Sequence, residues 1–230
     1  MEATYPTEAA IARPDSGFLT KVFAWMFIGL AITGGVAALI GSNEALLTDI
    51  TESPGIIIGV VIGQLVLVVA LVAAINRLPV GLAMLLFFVY SATVGITFAF
   101  LFELYTTESI FTAFLVTAGM FGALAVFGAV TKIDRSKVGA IAFMALIGLI
   151  LATVVNIFWA NGTLYWITTY AGVLIFSALT AYDMQKIQQL SHAGLEGDAE
   201  NRASIIGALS LYLDFINLFI FLLRIFGRAR

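Results

Sequence analysis

The chain has no cysteine and a single histidine, His192, in 230 residues. The first absence removes disulfides, thiolate metal ligands and thiol nucleophiles together. The second excludes a histidine metal site. Charge is also scarce, at 11% of residues against about 25% in ordinary soluble domains. What charge there is leans acidic, with a net value of −3 and a pI near 5.1, so the basic face of a nucleic-acid partner is missing. Apolar surface, by contrast, is abundant. Hydrophobic residues make up 61% and the mean hydropathy is +1.06, more than a soluble core of this size can hide. The solvent is a lipid bilayer.

At about 20 residues per crossing the length allows at most seven or eight short-looped helices. Apolar stretches predict spans near 19–41, 54–75, 79–102, 108–131, 138–160, 164–190 and 203–226. They are too long and too uniformly apolar for barrel strands, which alternate every second residue. The fold class is therefore all-α polytopic membrane protein with seven transmembrane helices. Residues 1–17, with Pro6, Pro14, Glu2, Glu8 and Asp15, read as a disordered cytoplasmic tail before a single transmembrane domain over 18–230. The first span is too long, and too closely followed by another, to be a cleaved signal. Pro54 and Pro79 stand at span starts, where a missing N–H costs little.

Basic residues set the orientation. Arg13, Lys21, Arg77, Lys132, Arg135, Lys137, Lys186 and Arg202 occupy alternate loops, whereas the intervening loops hold only Glu44, Asp49, Glu52, Glu103 and Glu108. This asymmetry predicts a cytoplasmic N-terminus. A full seventh crossing then places Arg224, Arg228 and Arg230 on the outer side, against the rule. The alternative is a re-entrant last helix, but 203–226 is long enough to cross, and a crossing is the reading adopted.

Two acids lie within spans, Asp183 and Asp214. An aspartate at bilayer depth costs about 2.5–3.5 kcal/mol on insertion scales, so it needs a partner or a function. The sixth and seventh spans form an antiparallel hairpin around a polar segment near 191–202, which puts the two carboxyls at similar depth and makes each the natural partner of the other. Gly207, Ser210, Asp214, Asn217, Phe221 and Arg224 fall on one stripe of the last span, and Ser177, Thr180 and Asp183 on a shorter one. Two carboxyls sharing a hydrogen bond, expected at about 2.5–3 Å, cannot both ionise cheaply. They hold one proton and titrate as a unit. Such a pair suits a pH switch, a cation site or an aspartyl hydrolase; the bland alternative is interhelical glue through nearby Ser, Thr, Tyr or Asn.

Other signals are weaker. Arg77 reads as a cytoplasmic flank or as a snorkelling counter-charge to an aspartate. Gln64 and Asn156 are mid-span amides of the kind that join helices. Small residues at Gly29, Thr33, Ala118, Gly122, Ala125 and Ala129 permit close packing, and Trp25, Trp159 and Trp166 suit the membrane interface.

The segments Ala-Tyr-Asp-Met-Gln-Lys (181–186) and Gly-Ala-Leu-Ser-Leu-Tyr-Leu-Asp-Phe-Ile-Asn-Leu-Phe (207–219) resemble the Bax inhibitor family of transmembrane proteins. Phe-Ala-Trp-Met (23–26) and Val-Thr-Ala-Gly-Met-Phe-Gly (116–122) are similar to its bacterial members. The resemblance covers nearly the whole chain. It implies six helices wrapped as two three-helix layers around a central C-terminal helix, in the bacterial inner membrane. It also implies a pH-sensitive calcium leak, without cofactor or tight metal site, gated by an aspartate pair whose matching positions are Asp183 and Asp214. Ser210, Asn217, Thr180 and Ser177 are then candidates to line the path or support the pair, and Arg77 is the candidate latch for Asp183. The rival reading is a non-transporting protein that modulates a membrane-bound protease. An intramembrane aspartyl protease fits less well: Tyr182-Asp183 matches half of its signature, but Leu211-Tyr212-Leu213-Asp214 lacks the Gly-x-Gly-Asp of the other half. A retinal receptor fails for want of a lysine in the last helix. The chain is expected not to be an enzyme.

Overall fold

The computed structural model describes residues 16–131 and 133–230, apart from the side chains of residues 51, 54, 135 and 136. In lipid every backbone donor and acceptor must be satisfied within the chain, and a helix does this locally. The described residues accordingly form α1 (Ser16–Gly41), α2 (Glu44–Thr51), α3 (Pro54–Ala74), α4 (Val80–Ala99), α5 (Leu101–Leu104), α6 (Thr107–Val130), α7 (Arg135–Trp159), α8 (Gly162–Ser191) and α9 (Gly197–Phe226). Seven spans are long and apolar enough to cross a membrane, α5 serving as the end of the third, which runs Val80–Leu104. Helix starts are sealed by side chains. Asn43, Thr106 and Asn161 accept from the N–H groups of Leu46, Ser109 and Leu164 at 3.2, 3.3 and 3.0 Å. Of the expected tail, residues 1–15 lie outside the described residues, while Ser16 and Gly17 already belong to α1, two residues ahead of the expected boundary.

The main departure from the sequence reading is the start of the last helix. The hairpin turn is only 192–196, with Gly194 (φ +62°) and Gly197 (φ +61°) supplying the left-handed backbone that closes it. The apolar part begins near 203, but the helix continues back to Gly197, and Asp198 and Glu200 in its first turn suit the positive end of the helix dipole.

The other end of α9 decides its topology. The Thr106 N–H donates to the Arg228 carbonyl at 3.3 Å, the Arg230 N–H to the Leu104 carbonyl at 3.2 Å, and the Arg228 N–H to Ser109 Oγ at 3.0 Å. The tail thus lies along the α5–α6 connection, at the opposite end of the bundle from the 192–196 turn. The last helix crosses fully and is not re-entrant. Arg224, Arg228 and Arg230 therefore stand on the side that otherwise lacks basic residues.

Helix α9 is also the most enclosed. Of its apolar window 72% is buried, against 6% for α3 and 11% for α7. Helices α1, α4, α6 and α8 pack directly on it, while α3 reaches the bundle through α4 and α7 through α8. Most of the core is one cluster around Tyr212, Phe215 and Phe219; a smaller one joins Ala142 and Leu149 of α7 to Phe176, Leu218 and Phe221. Between apolar helices in lipid, close packing supplies the association rather than expulsion of water.

Candidate functional site

Asp183 lies in α8 and Asp214 in α9, and the contacts between these antiparallel helices set their register. The side chain of Ile187 lies against Gly207, and the ring of Phe221 lies against Gly172 with no room for a Cβ. This pairing puts Ser210 opposite Asp183, and its hydroxyl is placed to donate to the Asp183 carboxylate. Asp214 is four residues, about one turn, further along α9 than Ser210. The carboxyls face the same helix–helix seam and interact as charges.

Asp214 is 4% exposed, and its Oδ2 is buried without a hydrogen-bond partner. Donors on the seam are turned elsewhere. Thr180 gives its hydroxyl to the Phe176 carbonyl at 2.7 Å and Ser177 to Val173 at 2.6 Å, while the Asn217 amide donates to Leu213 at 2.7 Å. Each satisfies its own helix, the usual resort of a short polar side chain in a span. A buried acceptor left without a partner is rare in folded proteins and marks a place where something other than stability is at stake.

The segment carrying Asp183 is held firmly. Gly128 of α6 lets the backbone of Ala181 approach so closely that a Cβ would come within 2.5 Å of the Ala181 oxygen. Gly139 of α7 accommodates the Tyr182 ring in the same way. The Gln185 amide then donates to the Thr131 carbonyl at 3.1 Å, beyond the end of α6. On α9 the polar stripe splits in two. Gly207, Asp214 and Phe221 form a buried edge against α8; Ser210, Asn217 and Arg224 form a half-buried edge beside it.

The sequence profile described as "Inhibitor of apoptosis-promoting Bax1" matches residues 15–230. The inner membrane protein YbhL of Escherichia coli (strain K12) is 43% identical over 231 residues, covering 98% of this chain and 99% of that protein. An uncharacterized protein of Deinococcus radiodurans is 41% identical, covering 93% of this chain and 90% of its own length, and one of Borreliella burgdorferi is 39% identical, with shares of 93% and 92%. The chain belongs to the Bax inhibitor family. It is an integral membrane protein of that family, with seven apolar spans.

In this Bax inhibitor family member the latch is not made. Arg77 is exposed in the turn between α3 and α4, and among the described residues it forms no ion pair with Asp183. The charge that reaches Asp183 is that of Lys186, one turn along α8. Arg202 occupies the place near the α3–α4 turn, donating to the Leu78 carbonyl at 3.1 Å and approaching Asp198 at 3.6 Å. Sequence reasoning also passed over Tyr212. Its hydroxyl meets Thr33 Oγ1 at 2.6 Å, and Thr33 in turn lies 2.9 Å from the Ser91 carbonyl and 3.0 Å from that of Gly29. With Tyr212 as donor and Thr33 passing its own proton to a carbonyl, every group is satisfied, and α9 is tied to α1 and α4. A tyrosine two residues before a membrane aspartate was the available signal. Gln64 does join helices as its position suggested, its amide reaching the Thr93 carbonyl and Thr97 Oγ1 at 2.7 Å each.

Proposed function

We propose that this protein is a pH-sensitive leak for calcium in the bacterial inner membrane, with a cytoplasmic N-terminus, working without a cofactor and catalysing no reaction. The observation that carries the reading is the Asp214 carboxyl, buried with its Oδ2 unpartnered, beside Asp183 on one helix seam. Two like charges in a low-dielectric seam cannot both persist cheaply, so the pair exchanges protons as a unit, and its charge state biases how α8 and α9 meet. Ser210 and Asn217, on the half-buried edge of α9, offer oxygen to a passing ion. Calcium takes about six to eight oxygen ligands, more than two carboxyls supply, so the ion moves partly hydrated instead of lodging in a cage. Family membership and the inner-membrane name of the YbhL relative support the placement.

The test is purified full-length protein in liposomes loaded with a calcium dye. Calcium flux is expected to exceed that of protein-free vesicles and to change between about pH 6 and 8, because the pair exchanges its proton as a unit. Flux equal to that of empty vesicles across this range rejects the leak and leaves modulation of a membrane-bound protease as the better reading.

A further inference from the structure

Helices α1 and α6 both pack on α9 but stand apart from each other toward the end of the bundle that carries the C-terminus. The gap is a crevice of about 240 Å³, lined by residues including Gly34, Phe98, Phe102, Phe111 and Phe215. Its polar residues are Thr33, whose hydroxyl is already engaged with Tyr212 and backbone, and Thr107. Ordered water needs two to four polar partners, so water does not fill such a space. A void facing hydrocarbon loses the contacts of its lining unless an apolar chain enters it.

Beside the mouth lies the tail of the protein. Residues 227–230 run along the α5–α6 connection through the three hydrogen bonds that Arg228 and Arg230 make with Leu104, Thr106 and Ser109, next to the crevice residue Thr107. Arg224 is not available there, because its guanidinium sits over the rings of Tyr165 and Phe221, 5.3 and 5.2 Å from their centroids. Arg228 and Arg230 are exposed and form no ion pair among the described residues, although Glu103 and Glu108 belong to the same α5–α6 segment. Basic residues on this side run against the distribution that otherwise governs the chain. Two guanidiniums at the mouth of an apolar slot match one chemistry: an anionic head group with its hydrocarbon chain attached.

We propose that the crevice between α1 and α6 binds an anionic phospholipid of the leaflet on the C-terminal side, with an acyl chain among Phe98, Phe111 and Phe215 and the phosphate on Arg228 and Arg230. The lipid wedges the two helices that flank α9, and its seat is separate from the carboxyl seam.

The full chain carrying Phe111→Trp, reconstituted in nanodiscs, tests this by quenching with bromine-labelled acyl chains, after subtraction of the signal from the parent's own tryptophans. Labelled phosphatidylglycerol is expected to quench at a mole fraction about thirtyfold lower than labelled phosphatidylcholine, the ratio that roughly 1 kcal/mol from each of the two arginines gives. Arg228→Gln with Arg230→Gln removes that preference. Gly34→Leu reduces quenching by both lipids, because a Cβ at Gly34 meets open space and the side chain fills the slot without a clash. Glycerol phosphate, which has the phosphate but no chain, leaves quenching unchanged. Equal quenching by the two lipids overturns the proposal on the reporter protein alone. So does a preference that survives loss of both arginines, a Gly34→Leu protein quenched like its parent, or displacement by glycerol phosphate.

Discussion

Helix α9 is built differently on its two sides. Toward α1 and α4 it presents Tyr212, fully buried, hydrogen-bonded to Thr33 and edge-on to the rings of Phe87 and Tyr90 at 5.6 and 6.0 Å. Every polar atom there has a partner. Toward α8 it presents Asp214 with an orphan oxygen, a seam on which Ser177 and Thr180 turn their hydroxyls back to their own helix, and a half-buried edge. The comparison separates a side that holds from a side that can change. A satisfied polar contact in a span is stable because breaking it exposes donors to lipid; an unsatisfied one gives no such resistance to rearrangement.

The sharpest way to break this contrast is to remove the charge from the α8 side. Asp183→Asn and Asp214→Asn are each expected to abolish the pH response of calcium flux while the protein still inserts and folds. Asparagine keeps the shape and hydrogen-bonding capacity of a protonated aspartate but cannot release the proton. A wild-type pH profile in both variants would show that the seam is glue.

On the holding side the effect is on stability. Tyr212→Ala is expected to cost about 3–5 kcal/mol, as for other large aromatic truncations in a packed core. Tyr212→Phe, which deletes only the hydroxyl, costs about 0.6 kcal/mol, the average for an interhelical hydrogen bond in a membrane. Reversible unfolding in detergent or bicelles reads both. Near-equal losses in the two variants would mean that the hydroxyl, not the ring, secures α9.

The smallest effect belongs to the helix end near the 192–196 turn. There Lys21 of α1 meets Glu200 of α9 at 2.7 Å, with the lysine side chain 44% exposed. Lys21→Gln is expected to cost at most about 1 kcal/mol, in line with solvent-accessible ion pairs, and less at high salt. A larger, salt-insensitive loss would make this end part of the holding side.

Much of the architecture was legible in the residues. The seven spans, the prolines at two of their starts and the two membrane aspartates all follow from local composition. The cost of placing a segment in hydrocarbon is a sum over its own side chains. The hairpin of α8 and α9 was legible for the same reason, since a short polar segment near 191–202 between two long apolar stretches brings them side by side. That Asp214 keeps a buried oxygen without a partner was not, because it depends on which way each neighbouring donor turns once the helices are packed. Arg77 was left between two readings, flank and counter-charge, and the structure gives the exposed flank: a short turn in sequence does not reveal whether its side chain points along the bundle or away from it.

Sequence alone thus determined that this chain lives in a bilayer, how many times it crosses, and which two acids are out of place there. Only the tertiary structure decided which helices pack directly on the last one, that Thr33 and Tyr212 meet across 179 positions, and that Asp214 Oδ2 is left without a hydrogen bond. The division has one physical cause. Partition into lipid is additive over neighbouring residues, whereas apolar helices offer many faces of nearly equal affinity, and the choice among them rests on close fits such as Gly128 against Ala181 that exist only once both helices are in place.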